Sequence, residues 1–370
     1  MSEAELPSDA MTTERLLQRD DPHSGLIAIL ATGAAFFMIV LDTSIVNLAL
    51  PRIREAFNAD LVTLQWLVDG YALVFASLLL SAGALGDRHD AKRVFIVGLV
   101  VFSVASAACG FAPDIWSLQF ARVLQGVGAA MLLPNSLAAL NHTIQQGPRR
   151  TAAVSAWASA GALGIALGPV LGGALVQFLD WRSIFLVNLP VGLIAAALAR
   201  RHIASEPRLP SRALDLRGQF LAIITLGGLT YWLISVGRAH TLSPFSIALA
   251  IGYLLLGGLF LLVEAKQTEP MLPLDLLLRP TLGQVALVGL LHNIGVYGLV
   301  FVLSLTFQQL RGMTPLDAGL SFVPMTLALA IGTRIGAKLL HHLGPFKPLI
   351  WGHGAAAIGA AALTFIGVGH

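Results

Sequence analysis

The feature that most constrains this chain is the recurrence of apolar runs about 20 residues long, the length of helix that crosses the hydrocarbon core of a bilayer. Short polar connections separate these runs along all 370 residues. We predict about eleven membrane-spanning helices, at 26–48, 64–84, 93–112, 115–141, 151–176, 183–200, 219–237, 245–264, 282–308, 315–340 and 347–368.

The composition agrees with a membrane protein and excludes a soluble globule. Hydrophobic residues make up 56% of the chain and charged residues only 12%, about half of the charged fraction of an ordinary soluble domain. The ten-residue alternating segments of a membrane β-barrel do not occur in the sequence. The predicted fold class is therefore an all-α integral membrane protein.

The distribution of lysine and arginine predicts the orientation. If the N-terminus is cytoplasmic, most of the 23 basic residues fall in cytoplasmic segments, as the positive-inside rule requires. The net charge of +3 therefore reflects topology, and we expect no nucleic-acid partner. The few basic residues assigned to outside loops are Arg52, Arg54, Arg182, Arg238 and Arg311.

Loop lengths divide the predicted helices into units. Residues 1–24 are polar and predict a cytoplasmic tail, and residues 25–200 hold the first six helices. An arginine-rich linker at 201–218 follows, and we predict a domain boundary there. Residues 219–264 hold two further helices, and residues 265–370 hold the last three.

The connection after the second predicted helix carries an unusual set of residues in GALGDRHDAKR, from position 83 to 93. The basic residues can pair with carboxylates or with helix C-terminal carbonyls, so a network of this kind could latch a cytoplasmic gate. Simple positive-inside charge is the alternative, but it explains neither the acid nor the glycine. The gate residues that we predict are Gly83, Asp87, Arg88, Lys92 and Arg93.

One charged residue lies inside the first predicted span and one inside the fourth. Asp42 lies in LDTSIVNLALP of the first helix and Arg122 in LQFARVLQGVGAA of the fourth. Charges inside a membrane are costly and generally face protein or water. Both residues lie at similar depths in the outer half of the bilayer, so we expect them to influence each other. Our hypothesis is that Arg122 holds Asp42 ionised until a competing cation or a conformational change lets Asp42 take a proton; the alternative is that Asp42 has only a packing role near the outer face.

The fifth predicted helix contains GALGIALGPVLGG at 161–173. Its glycines recur every four residues and predict a seam for close helix packing, while the proline removes one backbone hydrogen bond and permits a bend. A packing seam alone explains the glycines equally well. The residues concerned are Gly164, Gly168, Pro169, Gly172 and Gly173. The segment WRSIFLVNLPVG at 181–192, which opens the sixth helix, is interpreted as structural.

These five stretches, in this order and within the first 192 residues, resemble the major facilitator superfamily, and specifically its fourteen-helix drug:proton antiporter branch (the EmrB/QacA type). Asp90 stands where that family usually has glycine, so the tight turn there is expected to be altered. The resemblance implies a complete N-terminal six-helix bundle, two linker helices and a partial C-terminal bundle. The family would continue with three more helices after residue 370, so we expect an incomplete C-terminal half.

The resemblance also directs attention to His292 and Asn293 in the ninth predicted helix. They lie near the midplane, where the two bundles of such transporters meet around substrate. Contact with protons or substrate is one interpretation of His292, and a satisfied packing histidine is the other.

The sequence therefore predicts a proton-coupled antiporter that exports amphipathic or cationic small molecules such as drugs. Its partners would be a small-molecule substrate, protons and the lipid bilayer, with no cofactor or metal, as a monomer in a bacterial inner membrane. It is not predicted to be an enzyme, since phosphate-loop, zinc and hydrolase motifs do not occur in the sequence. The alternative function is that of a transport-inactive truncated homologue acting as a membrane interaction partner.

Overall fold

A computed structural model describes residues 22–144, 146–205, 215–239, 243–267, 274–277, 279–344 and 346–366. The predicted N-terminal tail and most of the arginine-rich linker lie outside these ranges. The helices, in chain order, are α1 (Pro22–Phe57), α2 (Leu61–His89), α3 (Ala91–Gly110), α4 (Ile115–Thr143), α5 (Pro148–Phe178), α6 (Ser183–Leu186), α7 (Asn188–His202), α8 (Leu216–Ala239), α9 (Pro244–Lys266), α10 (Leu274–Leu277), α11 (Pro280–Leu305), α12 (Pro315–Ser321), α13 (Val323–Leu343) and α14 (Phe346–Ile366).

The described residues contain no strand, which confirms the predicted all-α class. Within these ranges, nine helical segments are long and apolar enough to cross a membrane. Two more helices, α13 and α14, coincide with the second part of the tenth predicted span and with the eleventh. Most predicted spans begin and end within several residues of the observed helices, but α1 extends from Pro22 to Phe57 and is far longer than predicted.

Several helices begin at a side chain that accepts a backbone N–H, because the first turn of a helix leaves its N–H groups without partners. Asp60 accepts the N–H of Thr63 at 2.9 Å, and Ser243 accepts that of Ser246 at 3.1 Å. Asp114 and Ser117 form a reciprocal capping box at the start of α4. These polar residues lie at the turns where one apolar helix has ended and the next begins.

Two predicted spans are interrupted. The sixth consists of α6 and α7, which meet at Val187, and the tenth consists of α12 and α13, which meet at Phe322. The C-terminal end of α11 passes into a single π-helical segment, Thr306–Leu310. Local breaks of this kind are tolerated where neighbouring helices or side chains satisfy the backbone groups.

Helices α1 to α7 pack around two buried apolar clusters. One cluster is centred on Phe95 and Phe102 of α3, and the other on Ile45, Trp181 and Phe185. Small residues bring the helix backbones close together: a methyl group on Gly128 of α4 would lie 2.6 Å from the backbone N of Phe102. The first six predicted spans therefore form one packed bundle.

Helices α8 and α9 form a hairpin beside this bundle. The Trp232 indole N–H donates to Ser246 Oγ at 2.9 Å across the hairpin, and Gln219 donates to the carbonyl of Ser77 in α2 at 3.5 Å. The hairpin precedes α11, so it stands between the six-helix bundle and the last helices in the chain. The predicted domain boundaries stay predictions.

The last helices contact the bundle at one end of the molecule. Ser304 of α11 donates to the carbonyl of Asn47 in α1 at 2.7 Å, and Arg54 donates to Gln309 at 3.4 Å. Val300, Ala318 and Phe322 form a small buried cluster with Leu48. This end of the molecule is the one that the loop charges predict to face outward.

Candidate functional site

The most polar buried cluster surrounds Asp42 of α1. Arg122 Nη1 lies 2.5 Å from Asp42 Oδ2, while Asp42 Oδ1 accepts from Gln125 Nε2 at 2.8 Å and from Asn188 Nδ2 at 3.1 Å. Asp42 is 0% exposed and Arg122 is 1% exposed. Four helices, α1, α3, α4 and α7, supply the side chains of this cluster, which also includes Ser106.

Each amide of the cluster is held in one orientation. Gln125 Oε1 accepts from Arg122 Nη1 at 2.8 Å, so its Nε2 must point towards Asp42. Ser106 Oγ accepts from Gln125 and from Asn188 and donates to the carbonyl of Phe185 at 2.8 Å. Asp42 is therefore surrounded by donors on both oxygens, which is the environment of an ionised carboxylate.

Aromatic rings complete the surroundings of Arg122. Its guanidinium lies 4.2 Å from the centroid of the Tyr71 ring and 5.8 Å from that of Phe185. Arg122 Nε also donates to the carbonyl of Leu67 at 3.4 Å. Protein groups thus replace water around the cation, as a buried charge requires.

The ion pair brings Asp42 and Arg122 into direct contact, as their similar depths predict, while the control of the Asp42 proton by Arg122 stays a prediction. The sequence reasoning missed Gln125, Ser106 and Asn188, of which Asn188 lies in the segment that was interpreted as purely structural. Gln125 and Asn188 offered a weaker signal, an amide side chain within an apolar span, whereas Asp42 was identified by its charge.

The predicted glycine seam of α5 lies against α1. Methyl groups on Gly164 and Gly172 would lie 2.9 Å from the Phe37 carbonyl oxygen and 2.6 Å from Ile45 Cγ1, and one on Gly168 would overlap Ser44. Close packing along this seam is therefore confirmed. Pro169 lies within the same continuous helix.

The far end of the seam contacts the C-terminal part of the chain. A methyl group on Gly173 would overlap the carbonyl oxygen of Pro315 and lie 2.8 Å from Leu316 Cα. A methyl group on Gly319 would in turn overlap the carbonyl oxygen of Pro169. We call Pro169, Gly173, Pro315, Leu316 and Gly319 the glycine clamp, since backbone meets backbone there between the bundle and α12.

The predicted gate loop is formed by the end of α2 and the start of α3. A methyl group built on Gly83 would lie 3.6 Å from Pro134 Cβ, an ordinary packing contact. The side chains of Asp87, Arg88 and Arg93 are exposed. The described residues show no ion pair of Asp87. Arg93, by contrast, lies 3.9 Å from the carboxylate of Asp90 within the same loop.

Asp90 stands where the resembling family usually has glycine. Its φ is 88°, in the region that favours glycine, so its backbone is strained. Its carboxylate caps α3 by accepting the N–H of Lys92 at 3.0 Å. Asp90 is buried and also lies 3.9 Å from exposed Arg93.

We expect Asp90→Gly to unfold at a higher temperature than Asp90→Ala. Alanine loses the cap, worth about 1 kcal/mol, and keeps the strain, whereas glycine releases strain of about 1–3 kcal/mol. Thermal unfolding of both variants in detergent measures the difference. The same pair of substitutions at Asp60, a cap with an ordinary φ of −79°, is the control and should differ by less than about 1 kcal/mol.

His292 and Asn293 are both exposed on α11. The ring of His292 lies 5.4 Å, centroid to centroid, from that of His353, and Asn293 donates to the carbonyl of Gly289 at 2.8 Å. Both interpretations of His292 stay predictions, since exposure of this side chain decides neither of them. Among the described residues, no hydrogen bond joins either side chain to Asp42.

Known proteins of related sequence are exporters and resistance proteins. The chain is 38% identical over 323 residues to the methylenomycin A resistance protein of Streptomyces coelicolor, covering 87% of this chain and 67% of that protein. It is 37% identical over 325 residues to the cephamycin export protein CmcT of Amycolatopsis lactamdurans, covering 85% and 66%. It is 33% identical over 341 residues to the multidrug resistance protein Stp of Mycobacterium tuberculosis, covering 92% and 63%. The chain thus spans about two thirds of the length of these relatives.

Solved structures share the fold at low sequence identity. A bacterial homologue of the human lysosomal transporter Spinster, solved in an inward-facing and unoccupied conformation, has a TM-score of 0.57 at 17% identity, covering 88% of this chain and 64% of that one. A POT family transporter in complex with 5-aminolevulinic acid has a TM-score of 0.59 at 14% identity, covering 88% and 71%.

The family model described as Major Facilitator Superfamily matches residues 32–370, which include every cluster described above except the first turns of α1. The chain is therefore a multi-pass membrane protein that belongs to the Major Facilitator Superfamily.

Proposed function

We propose that this chain acts as a proton-coupled antiporter that exports amphipathic or cationic small molecules, antibiotics among them. The observation that carries the proposal is the Asp42–Arg122 ion pair, which is fully enclosed among four helices. Charges are kept inside a membrane span chiefly where they serve transport. The names of the relatives support the substrate class, since they describe antibiotic resistance and export.

The hydrogen bonds around Asp42 suggest how a proton could be taken up. All three donors, from Arg122, Gln125 and Asn188, point at carboxylate oxygens of Asp42. A proton on Asp42 removes its charge and adds a donor to this cluster, so it weakens the hold of Arg122 on Asp42. A cationic or hydrogen-bonding substrate that competes for these groups would produce the same release, and this competition is the basis of exchange.

The movement of the helices supplies the second part of the mechanism. In this family, the two bundles rock around a central site. The contacts from α11 and α12 to α1 and α5 close one end of the molecule, while the charged gate residues at the other end are exposed. With the N-terminus cytoplasmic, the structure would correspond to a state that is closed to the outside.

We further propose that the chain belongs to the fourteen-helix drug:proton antiporter branch. The α8–α9 hairpin, which follows the six-helix bundle and packs against α2, supports that assignment because it is an extra pair of helices between the two bundles. The proposed location is the inner membrane of a bacterium, with the chain acting as a monomer.

The direct test is proton-driven uptake of a fluorescent drug into inverted membrane vesicles that contain this chain. An imposed inside-acid pH gradient should drive accumulation, because protons that leave the vesicle down this gradient would power the exchange for the drug. An uncoupler that collapses the gradient is the control and should abolish the signal. No accumulation by correctly inserted protein would contradict the proposal and favour an interaction partner without transport activity.

A further inference from the structure

The ring of Tyr71 in α2 covers Arg122, but the hydroxyl group on that ring is left without a partner. The side chain of Tyr71 is 1% exposed, and its ring centroid lies 4.2 Å from the Arg122 guanidinium. Tyr71 Oη is buried and has no hydrogen-bond partner among the described residues. A buried hydroxyl of this kind is unfavourable, because folding removes it from water without supplying another partner. The hydroxyl therefore destabilises the conformation that the structure shows.

The packing around Arg122 requires an aromatic ring but not a phenol. Phe185, the second ring beside this guanidinium, lies 5.8 Å away and carries no hydroxyl. An aromatic face supplies both the cation–π attraction and the apolar contact, so phenylalanine at position 71 would provide the same contacts. Tyr71 also stacks on Phe75 at 6.1 Å through its ring alone. What the packing leaves unexplained is the Tyr71 oxygen.

Close packing of α2 against α4 fixes Tyr71 beside the Asp42 cluster. A methyl group on Gly126 of α4 would lie 2.7 Å from the carbonyl oxygen of Tyr71, so the two backbones are in direct contact. One turn earlier in α2, the carbonyl of Leu67 accepts from Arg122 Nε at 3.4 Å. Tyr71 and Arg122 therefore keep their mutual position, and an N–H group of Arg122 that lost its acceptor would still have the Tyr71 oxygen nearby.

Protonation of Asp42 changes the hydrogen bonds that Arg122 requires. In this structure, Arg122 Nη1 donates both to Asp42 and to Gln125 Oε1. A neutral Asp42 attracts the guanidinium less, and its added hydrogen needs an acceptor of its own. The guanidinium cannot lose its proton, so it is left with an N–H group in need of an acceptor. Tyr71 Oη is an unused acceptor on a ring that already touches the guanidinium.

We propose that Tyr71 Oη is the acceptor to which Arg122 passes when Asp42 takes a proton, which makes Tyr71 a positioning residue of the proton site. The guanidinium would slide across the face of the ring that it already covers and end on the phenol oxygen. This proposal rests on the proposed role of Asp42 in proton coupling. Its consequence is that the Tyr71 hydroxyl stabilises the protonated state of Asp42 and not the ionised state.

Few other titratable groups face the ion pair. Those on other helices are Cys109 of α3 and Tyr297 of α11, which are both neutral near pH 7. Asp69 lies in α2, two positions before the tyrosine and therefore on the other side of that helix. The ring and the amide that α6 and α7 contribute carry no charge, and α5 has no ionisable residue between 151 and 178. The aspartate of the ion pair is therefore the group whose titration changes the cluster.

A double-mutant cycle on thermal unfolding in detergent tests the proposal without a transport assay. Asp42→Asn stands for the protonated aspartate, since both present a carbonyl oxygen and a donor and neither carries a charge. In the wild-type background, Tyr71→Phe should unfold at the same temperature or higher, because it removes a hydroxyl without a partner. In the Asp42→Asn background, the same change should lower the unfolding temperature by roughly 2 °C or more, the effect of one lost hydrogen bond to a charged group.

Two outcomes of the cycle would overturn the proposal. An equal effect of Tyr71→Phe in the two backgrounds would show that the hydroxyl does not respond to the charge of Asp42. A loss of stability in the wild-type background would show that the hydroxyl already has its partner in the ionised state.

The pH dependence of drug uptake into inverted vesicles is a second test, and it needs no variant of Asp42. Tyr71→Phe should require a more acidic vesicle interior for half-maximal uptake, by about one pH unit, because a protonated state that has lost a hydrogen bond forms only at a higher proton concentration. Tyr231→Phe, which removes an exposed hydroxyl of α8, is the matched control and should keep the wild-type profile. An unshifted profile of Tyr71→Phe contradicts the proposal. Absence of uptake by the wild-type chain contradicts the proposed transport function instead, and the thermal cycle then decides the role of Tyr71.

Discussion

Asp42→Asn is expected to reduce proton-driven drug accumulation to the background of empty vesicles and to destabilise the protein as well. The amide can no longer neutralise Arg122, which stays buried against Gln125 and the carbonyl of Leu67. Removing one partner of a buried ion pair typically costs about 3–5 kcal/mol, because it leaves an uncompensated charge. Vesicle transport and thermal unfolding measure the two effects separately.

The double variant Asp42→Asn with Arg122→Gln separates the loss of function from the loss of stability. It removes both charges, so most of the lost stability should return, since neutral replacements for a buried pair are often tolerated. Transport should stay at background, because the protonatable group is still missing. Full proton-coupled transport by Asp42→Asn would refute the proposed role of Asp42, whatever the stability of the variant.

The depth of a charged residue could be predicted from sequence, whereas the direction in which its helix presents it could not. Asp42 and Arg122 are each the only charged residue in an apolar span. The two charges can both be buried because they contact each other. The same reasoning located His292 in a span and left two interpretations of it open, and in the structure its side chain is exposed. Helix rotation depends on contacts with neighbouring helices, which a single sequence does not contain.

Close packing was predictable for a related reason. Glycine at every fourth position of α5 leaves one side of that helix without side chains. The sequence alone therefore predicted that a neighbouring helix packs closely against that side. Which helix approaches at each level could not be derived: α1 packs along Gly164 and Gly168, but α12 packs at Gly173. The sequence did not predict that Asn188 and Ser106 belong to the Asp42 cluster, because neither side chain carries a charge that would single it out within an apolar span.

Gly173→Val and Gly319→Val are expected to open the glycine clamp and to stop transport. Each valine would place carbon atoms where a backbone carbonyl of the opposite element now lies. Overpacking of a tight contact costs typically about 1–3 kcal/mol, and here the cost falls only on the closed state, in which the two elements meet. A bias of about 1–3 kcal/mol shifts a conformational equilibrium roughly 5–150-fold.

Maleimide labelling measures that shift directly. Ala318 is 0% exposed in the closed state, and the chain has a single cysteine, Cys109. Ala318→Cys in a Cys109→Ala background should therefore label roughly 5–150-fold faster when either valine is present. Gly332→Val is the matched control, since a Cβ there meets nothing within 4 Å and α13 can accommodate the side chain without disturbing the clamp. Equal labelling rates with and without the clamp valines would show that these glycines pack the helices without controlling closure.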